Sequence, residues 1–431
     1  MSRILFINRF YYPDLSATSQ LLTDLATEIA KTGQTVHVIT GRRLYHDGEK
    51  TLPAQARHRG VEIHRIRTTN FNRFGLPGRA LDFGSFYLMA TIELLRRARR
   101  GDILVAKTDP PMMSVLVRIV GSLRRAKVIN WLQDIFPEVA QQLGMVPRGY
   151  GVGNLLRGLR NWSLRFADAN VVLGERMRQN LLDFGVAEER IHIIPNWSDG
   201  VAIAPLTHQE NPLRKAWGLE GKFVVIYSGN MGRAHNFDTI IEAAKQLKTH
   251  PEIVFLWVGG GVKKAEIQKA AKNAGLNNFL FKDYQPRETL RETLAVGDVH
   301  LVTLAPNLEG LIVPSKFYGA LAAGRPVIFV GDGHGEIANI IAKHDCGYHF
   351  TENQASALAR KLIELSRHPE QIKDKGEKAR TLFEQSCGVA HSVERWNRLF
   401  NQVRNTRRRR FIMRRRTQPS LVSDRTGTKQ P

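Results

Sequence analysis

Apolar residues along this chain fall into short runs separated by segments of helical periodicity. Ile4, Leu5, Phe6 and Ile7 form an uninterrupted apolar run, as a strand buried on both faces does. Leu21, Leu22, Leu25 and Ile29 then recur at helical spacing, with Gly33 as a stop signal. Another strand is read at 35–40, where Val36, Val38 and Ile39 are set among Thr35, His37 and Thr40. Strand, helix and strand in so short a span make a βαβ unit, and predict a parallel sheet in a doubly wound α/β domain. The same grammar predicts strands at 103–106, 128–132, 170–173 and 191–195. A second series opens at 223–229 and continues at 254–259, 279–282, 299–304 and 326–330, with helices between. The polar stretch 199–220 reads as the linker. Two doubly wound domains around a linker face a cleft, and ligands of open parallel sheets bind at the carboxyl ends of the strands.

Length agrees with this division, because 431 residues exceed one ordinary core. The charge balance is unusual: 63 Lys and Arg against 40 Asp and Glu, a net of +23. The segment 405–431 contributes nine basic residues and one acid. A body this basic prefers anionic partners such as phosphorylated substrates, acidic lipid surfaces or nucleic acid. The two cysteines, Cys346 and Cys387, have no metal-ligand spacing and no disulfide framework, as in a reducing compartment. No stretch reaches the roughly 20 apolar residues that spanning a bilayer requires. The expected location is the cytoplasm, with membrane contact peripheral.

Two clusters carry candidate chemistry. Ser228-Gly229-Asn230-Met231-Gly232-Arg233 leaves a strand and enters a helix near Phe237. Glycines there let the backbone approach a ligand, free amides at a helix start attract phosphate, and Arg233 adds a forked cation. A tight turn with a surface arginine is the plainer explanation. The second cluster runs from Asn307 through Glu309, Pro314, Ser315 and Lys316 into a helix reaching Ala323. Ser315 is placed to cap that helix and Lys316 to lie beside its positive end. Glu309 could accept hydrogen bonds from sugar hydroxyls. A capped helix with a solvated lysine is the alternative.

With these residues in order, the chain resembles the retaining GT-B glycosyltransferases of the group 1, family 4 type, especially those that build bacterial surface polysaccharides. The resemblance rests on Phe10-Tyr11-Tyr12-Pro13, Gln133-Asp134-Ile135-Phe136-Pro137-Glu138, Ile194-Pro195-Asn196-Trp197, the Gly229 turn, Val258-Gly259-Gly260-Gly261, and Pro314-Ser315-Lys316 followed by Ala323-Gly324-Arg325-Pro326. It implies a GT-B fold: residues 1–199 as an acceptor-binding domain, 200–390 as a nucleotide-sugar domain, 391–404 as a helix returning to the first domain, and 405–431 as a basic, disordered tail. It implies that Gly229, Asn230, Gly232, Arg233, Pro314, Ser315 and Lys316 meet the donor diphosphate. Gly259, Gly260 and Tyr284 would lie near base and ribose, and Tyr12, Ser16 and Asp134 would face the acceptor. Asp134, Arg233, Lys316 and Glu309 are the expected catalytic set, with capping of a 137–143 helix as the alternative role for Asp134. Two positions depart from the family pattern. Gly319 stands where many relatives have a second glutamate, and His235 stands near the place of a lysine.

The implied reaction is transfer of a sugar, with UDP favoured as carrier, to a lipid-linked saccharide. It would proceed with retention, needing no cofactor and no metal; the chain lacks any Asp-x-Asp. Another GT-B enzyme, such as an epimerase or phosphorylase, is the alternative within the fold. An RNA-binding protein is the alternative outside it, but no stacking groove or nucleic-acid module supports one. Two segments suggest contact with an anionic membrane. The tail interleaves 407–410 and 414–416, all arginine, with Phe411-Ile412-Met413. Leu155, Leu159, Trp162 and Phe166 form one helical stripe with Arg157 and Arg160 opposite, for which core packing is the commoner explanation and a bilayer the sharper one.

Overall fold

The computed structural model describes residues 2–45, 50–71, 75–145 and 151–406. The arginine-rich part of the tail lies outside the described residues. The first eight strands are β1 (Ile4–Ile7), β2 (Val36–Gly41), β3 (Gln55–His58), β4 (Val61–Ile66), β5 (Ile103–Lys107), β6 (Lys127–Trp131), β7 (Ala169–Val172) and β8 (Ile191–Ile193). They form one sheet of order β3-β4-β2-β1-β5-β6-β7-β8, parallel throughout except for the antiparallel edge strand β3. The second sheet is built from β9 (Phe223–Ser228), β10 (Ile253–Val258), β11 (Phe279–Lys282), β12 (Val299–Thr303), β13 (Val327–Val330) and β14 (Gly347–Phe350). Its order is β11-β10-β9-β12-β13-β14, all parallel. In both sheets the strand order reverses beside the first strand, which opens a crevice at the carboxyl ends.

The 199–220 segment, read as a linker, packs on the second domain. Asn211 caps the Pro212–Ala216 helix by accepting from the Leu213 amide at 3.0 Å. Arg214 is buried, donating to the Val296 carbonyl at 2.8 Å and pairing with Asp298 at 3.3 Å. The long Val389–Asn405 helix returns to the first domain. Its Trp396 is fully buried with its ring 5.0 Å from that of Trp131, and Phe400 meets Phe6.

The Val152–Phe166 helix corrects the core-packing expectation. Gly153, Arg160, Ser163 and Leu164 face inward, and Arg160 pairs with Glu138 at 2.8 Å. The apolar stripe faces out instead: Leu155 is 62% exposed and Trp162 38%.

The domains also touch across the cleft. Asp134 pairs with Ile312 as an antiparallel bridge, and the Ile135 amide donates to the Leu311 carbonyl at 3.0 Å. Glu336 accepts from the Glu175 amide at 2.9 Å, at the amino end of the Glu175–Asp183 helix. On the opposite rim, Arg287 pairs with Asp24 at 3.2 Å.

Because Trp396 carries much of the contact between the last helix and the first domain, Trp396→Ala is expected to destabilise the protein by about 3–5 kcal/mol. Urea unfolding monitored by circular dichroism checks this, and an unchanged midpoint would show that the helix is not docked.

Candidate active site

The exits of β9, β10, β11 and β12 converge on one spot. Gly229 has φ +127°, Gly259 +125° and Gly261 +131°, backbone that side chains rarely adopt. Space demands glycine at two of them too: a Cβ on Gly259 would stand 2.3 Å from the Gly229 carbonyl oxygen, and one on Gly261 would stand 2.6 Å from that of Met231. At Gly229 it is the Lys316 side chain that comes close, its Cε 2.8 Å from where a Cβ would be. The Tyr284 ring lies over Gly259 and Gly260, at 3.3 and 3.2 Å from the places their Cβ atoms would take. The motifs at 229–233, 259–261, 284 and 314–316 are thus one site.

Lys316 is its electrostatic centre. Its Nζ lies 3.3 Å from His235 Nε2 and 5.0 Å from the centre of the Tyr227 ring. Among the described residues it has no carboxylate partner, and burial lowers its pKa to about 8. His235 is buried, with Nδ1 2.7 Å from the Thr303 carbonyl. A carbonyl only accepts, so Nδ1 carries the ring proton and Nε2 offers its lone pair to the Lys316 ammonium. Burial and the neighbouring Lys316 hold the His235 pKa down to about 3, so the ring is neutral. Lys263 Nζ donates to the His235 carbonyl at 2.8 Å. Sequence reasoning had flagged His235 only as standing in a lysine's place; its buried contact with Lys316 has no signal in the chain.

Arg233 and Asn230 are exposed on the turn, and among the described residues Arg233 has no hydrogen bond or ion pair. Gly232 sits beneath Asn230, whose Nδ2 would meet a Cβ there at 3.0 Å. Pro314 is buried and Ser315 holds the N-cap position of the Lys316–Ala322 helix. The Ser315 hydroxyl makes no capping bond, because its backbone is already helical; this corrects the expected cap. Glu309 is also not the free carboxylate that was expected. Its Oε1 accepts from the Glu336 amide at 2.9 Å and the Gly310 amide at 3.3 Å, tying its loop to the Glu336–His344 helix. Burial raises its pKa.

The facing half is built at the ends of β1, β5 and β6. Asp134 does not cap the Glu138–Gln142 helix; its Oδ1 is shut off from solvent and has no partner among the described residues. Burial, with Asp109 adding repulsion and a hydrogen bond with Thr108 opposing, raises its pKa to about 7. Asp109 is raised to about 6 by burial, with Arg9 opposing. Lys107 is buried, donates to the Thr18 carbonyl at 2.6 Å and lies 3.9 Å over the Trp131 ring. The apolar context of β5 and the polar loop after it had given no hint of Lys107 and Asp109. Ser16 has a buried hydroxyl without a partner among the described residues. Tyr12 is exposed and stacks on His58 at 3.7 Å, at the outer edge of this half.

Among the described residues, one group has metal-ligand spacing. His37 Nδ1 lies 3.0 Å from His64 Nε2 and 3.1 Å from Glu62 Oε2. It sits on β2 and β4 near the amino end of the sheet, opposite the cleft. Nothing connects it to the convergent site.

Two family models match the chain. One described as a glycosyl transferase 4-like domain matches residues 18–197, and one described as glycosyl transferases group 1 matches 209–382. The probable glycosyltransferase WbjE of Pseudomonas aeruginosa is 28% identical over 304 residues, covering 70% of this chain and 75% of that protein. The putative colanic acid biosynthesis glycosyl transferase WcaI of Escherichia coli is 26% identical over 351 residues, covering 78% and 85%. Among solved structures, sucrose-phosphate synthase from Thermosynechococcus elongatus superposes with a TM-score of 0.73 at 16% identity, over 94% of this chain and 99% of that one. HepE of Anabaena, solved with UDP-glucose, gives 0.69 at 16%, over 93% and 100%. These last two establish the GT-B fold.

The Lys316 pKa gives a test of whether this spot binds phosphate. Below about 8 its ammonium is present, and above that it is lost, so affinity for a nucleoside diphosphate is expected to fall as pH rises through 8. Calorimetric titrations across that range check it; a flat profile would remove Lys316 from the anion site.

Proposed function

The chain belongs to the group 1 glycosyl transferases and is a glycosyltransferase, and on that premise we propose that it moves a sugar from UDP to a lipid-linked saccharide. We propose further that transfer retains the anomeric configuration, needs no metal and serves surface polysaccharide assembly at a cytoplasmic membrane face. The observation that carries the donor site is Lys316: a half-buried cation against a glycine, bonded to a neutral histidine and with no carboxylate partner among the described residues. A charge drawn partly out of water is costly without a partner, and the donor diphosphate supplies one. UDP is favoured because HepE, of the same fold, was solved with UDP-glucose. Tyr284 over Gly259 and Gly260 gives the base a flat surface. The polysaccharide role follows the printed description of WcaI.

In this reading the bond from the sugar's C1 to the β-phosphate oxygen breaks, and UDP leaves with the electron pair. The acceptor oxygen bonds to C1 on the same face, and its proton passes to the departing phosphate. Arg233, Lys316 and the amides around Gly229 and Gly232 stabilise the charge that grows on the phosphate. Two cations and a set of amides in the chain itself are the reason for proposing that no metal is needed. Asp134, as the carboxylate, faces the positive character at C1 and orients the acceptor hydroxyl. Glu309 serves as a positioning residue, fixing the loop that leads to Lys316.

Calorimetry in EDTA is expected to show micromolar UDP binding that Lys316→Ala weakens about tenfold, roughly 1.4 kcal/mol. An unchanged affinity, or no binding by the parent protein, would overturn the donor site; binding only after a divalent ion is restored would overturn the metal-free mechanism. Nuclear magnetic resonance of the product reads retention from its anomeric configuration. Transfer is expected to be bell-shaped in pH. It rises through about 7 as Asp134 ionises and falls through about 8 as Lys316 loses its proton. Asp134→Asn is expected to abolish the rising limb and leave UDP affinity intact.

A further inference from the structure

We propose that the outer face of the helix layer on the first domain docks on an anionic bilayer, and so presents Asp134 to acceptors held there. This rests on the lipid-linked acceptor proposed above, and names the surface that reaches it.

Three helices, Gly75–Arg97, Met113–Arg124 and Val152–Phe166, lie side by side over one face of the sheet. Tyr87 Oη donates to the Pro111 carbonyl between the first and second, and the Ser114 and Ser163 hydroxyls meet at 2.8 Å between the second and third. Their inward residues, Phe86, Leu94, Val117, Val120 and Leu164, are buried. Their outward residues are also large and apolar. Leu88 is 62% exposed and Leu123 67%, with Leu155, Leu159, Trp162 and Phe166 continuing the surface. Single exposed apolar side chains are ordinary, but a run across three adjacent helices marks an interaction surface.

Charge selects the occupant. Neither Met113–Arg124 nor Val152–Phe166 contains an acidic residue, and exposed arginines ring the far ends of the layer at 96, 99, 100, 124, 125 and 165. A symmetric dimer with its two-fold axis along the helices would set arginine against arginine, and one with the axis across them would leave the arginines at its two edges without an anionic partner. An anionic lipid surface opposes them with the complementary charge, and the apolar side chains enter the interface between its head groups. The face also leads to the chemistry. A small cavity beneath the second and third helices is lined by Met113, Ser114, Arg160 and Leu164 at one side and by Asp134 at the other.

The test is cosedimentation of the full chain with phosphatidylcholine vesicles, with and without phosphatidylglycerol. The parent protein is expected to bind the anionic vesicles, and Leu155→Glu with Trp162→Glu to weaken that binding by about tenfold or more. Arg124→Glu with Arg125→Glu is expected to weaken it too, with the loss greatest at low salt. Unchanged UDP affinity in each variant shows that the fold survives. Variants that bind vesicles as the parent does would move docking elsewhere and overturn the proposal. So would a parent that binds no vesicles, or one whose self-association in velocity sedimentation is abolished by Leu155→Glu with Trp162→Glu. If the parent binds no UDP, the donor reading fails, whatever the vesicles show.

Discussion

Everything in the cleft depends on how the two domains meet. Each domain ends its parallel strands in loops on one side, and the two sets of loops face each other across the cleft. The chain crosses between domains at two points that lie together, where Ser198 bridges Gly388. Away from those crossings, the backbone of Asp134 and Ile135 pairs with Leu311 and Ile312, so the Asp134 loop of one domain is registered against the segment leading to Lys316. The Glu175–Asp183 helix contributes a second tie. Its free amides at 175 and 176 meet the Glu336 carboxylate, and Arg176 donates to the His334 carbonyl at 2.7 and 2.9 Å. A carboxylate at a helix amino end satisfies orphan donors and the helix dipole together. These contacts use backbone groups and fixed charges, so they set distance and register.

The site then concentrates unfavourable electrostatics where a substrate can relieve them. Burial works against the charged form of Lys316 on one side and of Asp134 on the other. Each is displaced toward neutrality and toward the same interval of pH. His235 cannot compensate Lys316, because it is neutral and offers only a lone pair. The neighbouring Lys107, by contrast, is satisfied internally by the Thr18 carbonyl and the Trp131 face, which ties the first helix to β5. The difference separates a buried cation held within its own domain from a half-buried one that meets a histidine lone pair and a tyrosine ring.

The first domain carries a second asymmetry in its two helical layers. The layer containing Ala17–Lys31 and Val389–Asn405 covers the sheet with its apolar side and closes around Trp396. The opposite layer covers the sheet and is apolar on its outer side as well. Arg160 illustrates the inversion, since it goes inward to Glu138 while Trp162 goes out.

Fold class and most strands could be read directly, because strands buried on both faces must be continuous apolar runs. The strands at 55–58, 61–66 and 347–350 escaped for the same reason. β3 and β14 lie at sheet edges and β4 beside one, and Gln55, Arg57, Glu62, His64 and His349 interrupt the apolar pattern. The sequence also determined the glycine turns and Pro314-Ser315-Lys316, since close backbone approach and a helix start leave local signatures. Only the tertiary structure decided that Lys316 lies on Gly229 and His235, that Glu309 is spent on a helix amino end, and that Leu155 and Trp162 face outward. Each of these depends on which surfaces meet across tens or hundreds of residues, and helical periodicity defines a face without saying which way it points.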